Sequence, residues 1–155
     1  PEAAASPCLA ISGYLPVHIL AQFQGEAHES MAALVEGYEQ GLLARSRSGK
    51  LALHLLAEFF PGAEKTMELV CRCCRKACLS PDNASMTPLH LLAAHTRAED
   101  WQAIAGSLRA LLQWGKSAVL LQDEDGNTPV HLAALLCPQP DLLLAEMLRH
   151  GARAG

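Results

Sequence analysis

One ten-residue phrase, repeated four times, constrains the fold of this chain more than any other feature. The clearest copy is Asp-Gly-Asn-Thr-Pro-Val-His-Leu-Ala-Ala at residues 125–134, and weaker copies occupy residues 12–21, 48–57 and 84–93. The histidines of the four copies follow one another at intervals of 36, 36 and 41 residues. A phrase that returns at such a period predicts an array of similar units, each stacked on its neighbours.

Each copy begins with a predicted tight turn. Glycine has no Cβ to clash, so it takes the left-handed backbone conformation that many turns require. Three copies carry glycine at this point, at Gly13, Gly49 and Gly126. The phrase therefore predicts a turn immediately before each short helix.

The residues after the turn predict a helix start. Thr87 and Thr128 stand where an N-cap belongs, because a hydroxyl there accepts a hydrogen bond from a free amide of the first turn. Pro88 and Pro129 follow at the first helical position, where proline's missing amide leaves no bond unmade. Leucine replaces threonine in the first two copies, so we expect the side-chain cap to be lost there. Each unit thus reads as a turn followed by a pair of helices, and only stacking can bury its apolar face.

The composition favours an all-α fold. Half of the 155 residues are hydrophobic but only 5% are aromatic, and leucine and alanine predominate. This balance suits closely packed short helices, whereas a β-sandwich would be richer in β-branched and aromatic residues. The length fits one domain with a proper core.

Charge and cysteine usage narrow the classes of partner and compartment. The net charge of −4 disfavours nucleic-acid binding, and basic residues gather only in short clusters at residues 45–50 and 72–76. No apolar run is long enough to span a membrane, and no signal peptide is visible, so we expect a cytoplasmic or nuclear protein. The chain begins at Pro1 without Met, which we interpret as a fragment of a longer protein. Four of the six cysteines lie within residues 71–78, a poor basis for a disulfide framework, so a reducing intracellular compartment is expected.

The phrase resembles the signature of the ankyrin repeat family, a turn followed by Thr-Pro-Leu-His-x-Ala. Thr87-Pro88-Leu89-His90 carries that signature, and Leu111-Leu112-Gln113-Trp114-Gly115 is similar to the Leu-Leu-x-x-Gly that closes such a repeat. The resemblance covers residues 12–155 and implies an ankyrin-type α-solenoid of stacked turn–helix–helix repeats. Residues 1–11 are expected to be a lead or the end of a preceding repeat. The four repeats are expected at about 12–47, 48–83, 84–124 and 125–155.

The helices of the first two units can be placed from their apolar spacing and from helix-breaking residues. We expect the first unit to contain helices at about 16–23 and 29–43. In the second unit, Phe-Phe-Pro-Gly at 59–62 ends the first helix, and an amphipathic second helix is expected over 63–79.

The third and fourth units carry further expectations. The five extra residues of the third unit are expected between its two helices, near residues 96–102. Gly115 is expected just past the end of its second helix, as a left-handed C′ residue. In the fourth unit, Asp141 is expected to cap the second helix.

The cysteine-rich segment has two readings. On one continuous helix Cys71, Cys74 and Cys78 share a face, and Cys73 points elsewhere. Zinc requires four ligands in a tetrahedron, which this helix does not complete, so the cysteines are expected to be small buried residues and no metal or other cofactor is expected. A metal site or redox role remains open, with Cys73 as the most accessible thiol.

The four repeated histidines are expected to be structural. Equivalent positions in a stack lie in a row and do not converge on one site, and in ankyrin-like proteins this histidine bonds the turn backbone and the neighbouring threonine. The residues in question are His18, His54, His90 and His131. His28, His95 and His150 lack a repeated context and are expected at the surface.

The sequence contains no motif that predicts catalysis. Phosphate-binding glycine loops, nucleophile elbows and zinc-protease motifs are missing, and Asp123-Glu124-Asp125 is explained by a turn. The ankyrin resemblance implies instead a non-enzymatic, monomeric module that binds another protein through its concave face. Three alternatives stay open: an array that recruits substrates for a larger enzyme, a metal- or redox-sensing module, and a structural spacer.

The resemblance also implies which residues contact the partner. These are the residue after the turn glycine and the pair after His-x-x-Ala. The corresponding positions are Tyr14, Lys50, Met86 and Asn127 at the turns, and Gln22, Phe23, Glu58, Phe59, Ala94, His95, Leu135 and Leu136 on the helices. Tyr14, Phe23 and Phe59 are the expected anchors, because aromatic residues contribute disproportionately to binding. Phe59 could instead pack between repeats.

Overall fold

A computed structural model of the chain describes residues 14–96 and 101–154. The expected lead at 1–11, Gly13 and part of the expected insertion in the third unit lie outside the described residues. Within them the protein contains α-helices and 3₁₀ helices and no strand, which confirms the all-α prediction for this part of the chain.

The helices alternate between short first helices and longer second helices. The α-helices are α1 (Pro16–Phe23), α2 (His28–Gly37), α3 (Ala52–Phe59), α4 (Glu64–Cys73), α5 (Pro88–His95), α6 (Trp101–Trp114), α7 (Pro129–Leu136) and α8 (Pro140–Ala154). Three 3₁₀ segments follow second helices, at Glu39–Leu43, Arg75–Leu79 and Lys116–Leu120. The first helix of the first unit has the bounds that the sequence predicted.

The helices form a stack of four pairs in two layers. Helices α1, α3, α5 and α7 contact one another in that order, and α2, α4, α6 and α8 do the same in the second layer. Each first helix also contacts the second helix of its own pair. At the closest approach of the first helices lie three alanines, Ala21, Ala57 and Ala93, each fully buried. A larger side chain at these positions would push neighbouring helices apart.

The turns between the pairs have the predicted left-handed residue, but one of them is not glycine. Gly49 and Gly126 have φ of 76° and 82°, and Ser85 takes the equivalent position with φ of 61°. Adjacent turns are joined by backbone hydrogen bonds, from Asn83 N–H to the Ser48 carbonyl (3.0 Å) and from Glu124 N–H to the Ala84 carbonyl (3.1 Å). The turns therefore form a connected edge along the stack.

The repeated histidines connect one unit to the next. The backbone N–H of Leu51 donates to Nδ1 of His54 (3.1 Å), so Nε2 carries the ring proton and donates to the Met86 carbonyl of the following unit (3.0 Å). His90 makes the same pair of bonds, with its Nε2 donating to the Asn127 carbonyl (3.0 Å). His18 does so with the Ala44 carbonyl (2.8 Å). The histidine fixes the helix start even where leucine replaces the capping threonine.

The second helices of the first two units are shorter than predicted. Helix α2 ends at Gly37 and α4 at Cys73, where the expected helices ran to residues 43 and 79. Tyr38 and Cys74 leave the helical conformation, with φ of −155° and −140°, and a 3₁₀ segment follows each. This change of direction returns Leu42 and Cys78 to the core, which a straight helix would not do.

Three further expectations are corrected. Most of the extra length of the third unit lies in α6, which has 14 residues against 10 in α4, and not in the preceding connection. Gly115 has φ of −139° and is not left-handed; a Cβ there would lie 2.8 Å from that of Cys78, so lack of space explains the glycine. Asp141 is not an N-cap, because α8 already begins at Pro140 and Asp141 lies in its first turn.

Candidate binding surface

Stacking places the ends of the first helices in one row. Phe23, Phe59, His95 and Leu136 are the last residues of α1, α3, α5 and α7, and each lies five residues after its repeated histidine. All four are exposed: 65% of Phe23, 47% of Phe59 and 50% of Leu136 is accessible, and His95 is exposed as well. We call these four residues the helix-end row. Phe59 is therefore not packed away between units.

A polar cluster joins this row to one of the turns. Lys50, in the turn of the second unit, donates from Nζ to Oε2 of Glu58 at 2.7 Å. His95 Nε2, from the third unit, lies 3.9 Å from the other Glu58 oxygen. The side chains of Lys50 and Glu58 are only 21% and 18% exposed, so this pair is better shielded than an ordinary surface salt bridge.

A cleft lies between the ends of α3 and α5. Its volume is about 420 Å³, and it is lined by Glu58, Phe59, Pro61, Ala94, His95 and Thr96. Four of these were predicted partner-binding residues. The cleft offers one aromatic wall, one carboxylate and one imidazole, which suits a side chain with both apolar and hydrogen-bonding parts.

Several predicted contact residues are turned partly inward. Tyr14 is half-buried against the core, and its ring centroid lies 5.5 Å from that of His18. Met86 and Asn127 are half-buried, and their carbonyls accept the histidine bonds described above. Gln22 is also half-buried, and its Oε1 is shielded from solvent. These residues support the surface more than they project from it.

Leu135 and Leu136 extend the apolar part of the surface into the fourth unit. Leu135 is 75% exposed, the largest exposure among the large hydrophobic residues described. Ala94, at the equivalent position in the third unit, is half-buried. The candidate surface is thus aromatic at α1 and α3, polar where Glu58 and His95 meet, and aliphatic at α7.

Burial lowers the pKa of three of the repeated histidines. For His54 the pKa falls from 6.5 to about 4, mainly through desolvation, although the Asp82 charge and the Met86 carbonyl raise it and Arg45 lowers it further. Burial also lowers the pKa of His18 and His90 against the opposing effect of their carbonyl partners. Their rings are therefore neutral near pH 7 and serve to connect units.

The other histidines differ from the expected surface location in two cases. His95 is exposed, but His28 and His150 are half-buried. His150 lies with Nε2 3.7 Å from Glu146. His131 makes the expected bond to its own turn, where Thr128 N–H donates to Nδ1 at 3.0 Å.

The cysteine-rich segment does not form the single stripe that was predicted. Cys71 and Cys78 are buried, but Cys74 ends α4 and is half-buried, because the helix breaks there. The pKa of the Cys71 thiol is raised well above its usual value by its hydrogen bond with Cys78 and by burial. Cys73 and Cys74 line a cleft of about 430 Å³ with basic side chains beside it, among them Arg75, which lies 4.2 Å from the Trp114 ring. Across the described residues, no three His, Cys, Asp or Glu side chains are grouped as a metal site.

The Lys50–Glu58–His95 cluster is the main feature that sequence reasoning missed. All three residues were predicted as separate contacts, and a signal was present in the opposite charges of Lys50 and Glu58. That signal becomes visible only when the turn is known to fold back over the helix end.

Comparison of the chain with protein-family models and with curated proteins gave no match in either case. Among the helices of the described residues, none combines the length and apolar character needed to cross a bilayer.

Proposed function

We propose that this chain is an ankyrin-type α-solenoid that binds another protein through its concave face and has no catalytic chemistry of its own. Support for the solenoid comes from the four stacked turn–helix–helix pairs and from histidines that link successive units. The observation that carries the binding proposal is the helix-end row, in which four exposed side chains occupy equivalent positions. Large exposed apolar residues scattered singly need no explanation, but a regular row of them indicates an interaction surface.

The spacing of the row favours an extended partner segment. Packed helices lie about 8–10 Å apart, so neighbouring members of the row are separated by roughly that distance. An extended chain advances about 3.1–3.4 Å per residue, so every third residue of such a segment meets the next row position. The expected partner presents apolar side chains at that interval, with a group near its centre that hydrogen-bonds to Glu58 or His95.

The net charge and the polar cluster make another protein a better partner than nucleic acid. The chain carries a net charge of −4, and the one lysine in the surface is already paired with Glu58. A polyanion gains its affinity by pairing with clustered lysine and arginine. We therefore expect a monomeric module that works inside the cell, without a cofactor.

The test is affinity capture from cell lysate with two matched variants. The first replaces Phe23, Phe59 and Leu136 by alanine. The control replaces Leu43, Leu79 and Leu120, three leucines that are 45%, 38% and 58% exposed at the ends of the 3₁₀ segments. Both remove comparable exposed apolar area, and both are first checked for native circular dichroism.

The proposal predicts partners that the wild-type chain and the control retain and that the row variant loses by at least tenfold. Equal capture by all three chains would contradict it, because the surface would then lie elsewhere. Loss in the control alone would move the site to the 3₁₀ segments.

A further inference from the structure

The fourth unit exposes positions that the first three units bury. Ala134 lies three residues after its repeated histidine, and it is exposed. Its equivalents, Ala21, Ala57 and Ala93, are all 0% exposed. They are buried because the first helix of the following unit packs on them. The outer side of α7 therefore has the composition of a unit–unit interface without the covering unit.

The second helix of the fourth unit repeats this observation. Leu148 corresponds to Leu112 of α6 and Cys71 of α4, counted from the end of the Leu-Leu-x-x-Gly motif. Leu112 and Cys71 are 0% exposed, whereas Leu148 is 56% exposed. A large aliphatic residue has been placed where a neighbouring helix would cover it. Two elements, α7 and α8, thus expose matching parts of one apolar face.

Hydrogen-bonding groups on the same face are also left open. Nε2 of His18, His54 and His90 each donates to a carbonyl that follows the histidine's own helix pair. His131 is exposed, and among the described residues its Nε2 has no partner, although Nδ1 keeps its bond to Thr128. The ring is therefore oriented like the other three, with its donor pointing away from the stack.

The turn of the fourth unit supplies the matching acceptor. The carbonyls of Ser48 and Ala84 accept an N–H from the next turn. Asp125 precedes Gly126 as Ser48 precedes Gly49, so its carbonyl is the equivalent acceptor for a further turn. The polar and apolar features together reproduce the three interfaces already present in the stack.

We propose that this terminal face, made by His131, Ala134, Leu148 and the Asp125 carbonyl, binds a fifth turn–helix–helix unit. The fifth turn donates an N–H to Asp125 and accepts from His131 Nε2, while its helices cover Ala134 and Leu148. This site is distinct from the helix-end row, and it rests on the stacking of the units and not on the proposed binding of a partner.

The test joins a second copy of residues 120–155 after Gly155. This copy is suitable because in the parent chain the same unit already packs on Leu89, His90, Ala93 and Leu112, which closely resemble the terminal face. Urea unfolding of the five-unit chain is compared with that of the parent. We expect a higher midpoint and an m value larger by roughly a quarter, because m scales with the surface exposed on unfolding. The ring N–H of His131 is expected to become protected from solvent exchange.

Ala134→Arg provides the discriminating control. In the parent it places arginine on an exposed position and should leave the urea midpoint unchanged. In the five-unit chain it places arginine inside the new interface and should return the midpoint and the His131 exchange rate to those of the parent. An appended unit with random-coil amide shifts, or an equal effect of Ala134→Arg in both chains, would overturn the proposal.

Sedimentation of the parent tests the competing occupant. The proposal predicts that the parent stays monomeric at tens of micromolar, because a face shaped for a covalently linked unit binds weakly in trans. Dimers or longer assemblies that Ala134→Arg dissolves would show that a second copy takes the face, and the proposal would then be wrong.

Discussion

The buried histidines make the stability of the stack sensitive to acid. Protonating His54 inside the fold would place a charge in a fully buried site and present a second proton where Leu51 N–H already donates to Nδ1. Its pKa is accordingly lowered from 6.5 to about 4. The unfolded chain takes up this proton near pH 6.5, but the folded chain takes it up only near pH 4. Between these values the unfolded state binds more protons, so stability falls as the pH falls.

The magnitude follows from the pKa difference. A shift of one pKa unit corresponds to about 1.36 kcal/mol, so His54 contributes about 3 kcal/mol that is fully present above pH 6.5 and lost below about pH 4. About 2 kcal/mol of this is lost between pH 7 and pH 5. With a urea m value of about 1–3 kcal/mol/M, the midpoint should fall by about 1 M over the same range. His18 and His90 act in the same direction, because burial lowers their pKa as well.

The assay is urea unfolding at intervals between pH 7.5 and 4.5, with His54→Gln as the matched variant. The variant is expected to be less stable at pH 7, since it loses the bond to the Met86 carbonyl, but its midpoint should depend less on pH. Titration by NMR should show His54 neutral, with the proton on Nε2, down to about pH 4. The reasoning is refuted if the wild type and the variant have the same pH dependence, or if His54 titrates near pH 6.5.

Three further predictions concern the backbone, the core and the thiols. Ser85→Gly should stabilise the fold by about 0.5–1 kcal/mol, because glycine relieves a left-handed residue, and Gly126→Ala should cost about 1 kcal/mol; urea midpoints measure both. Leu92→Ala should destabilise by about 2–5 kcal/mol in the same assay, because Leu92 is fully buried between units. A thiol reagent should label Cys73 well before Cys71, which is buried with a raised pKa, and mass spectrometry of the labelled peptides would expose the reverse order.

Much of the fold could be predicted because the repeated phrase contains its own physical logic. The turn, proline and histidine of each copy identify the start of every first helix, and the alanine three residues after the histidine marks where helices approach closely. The second helices were less accurate, because their ends are decided by contacts between units. Leu42 and Cys78 reach the core only if the chain breaks at Tyr38 and Cys74, and no local signal marks those residues as breakpoints.

The candidate surface was predictable by position but not by geometry. The spacing from the repeated histidine identified Phe23 and Phe59, and the model shows both exposed. Tyr14 was expected to project, but it lies against His18, because the core beside the first turn has room for its ring. The bond between Lys50 and Glu58 depends on a turn folding over a helix end, which the sequence does not record.

Photo-crosslinking would test the proposed binding surface most directly. A photoreactive phenylalanine analogue would replace Phe59 in one chain and Leu120, outside the candidate surface, in another, and both would be irradiated with the partner that affinity capture identifies. The account predicts strong crosslinking from position 59 into an extended segment of the partner, and little from position 120. Crosslinks from position 120 with none from position 59 would contradict it.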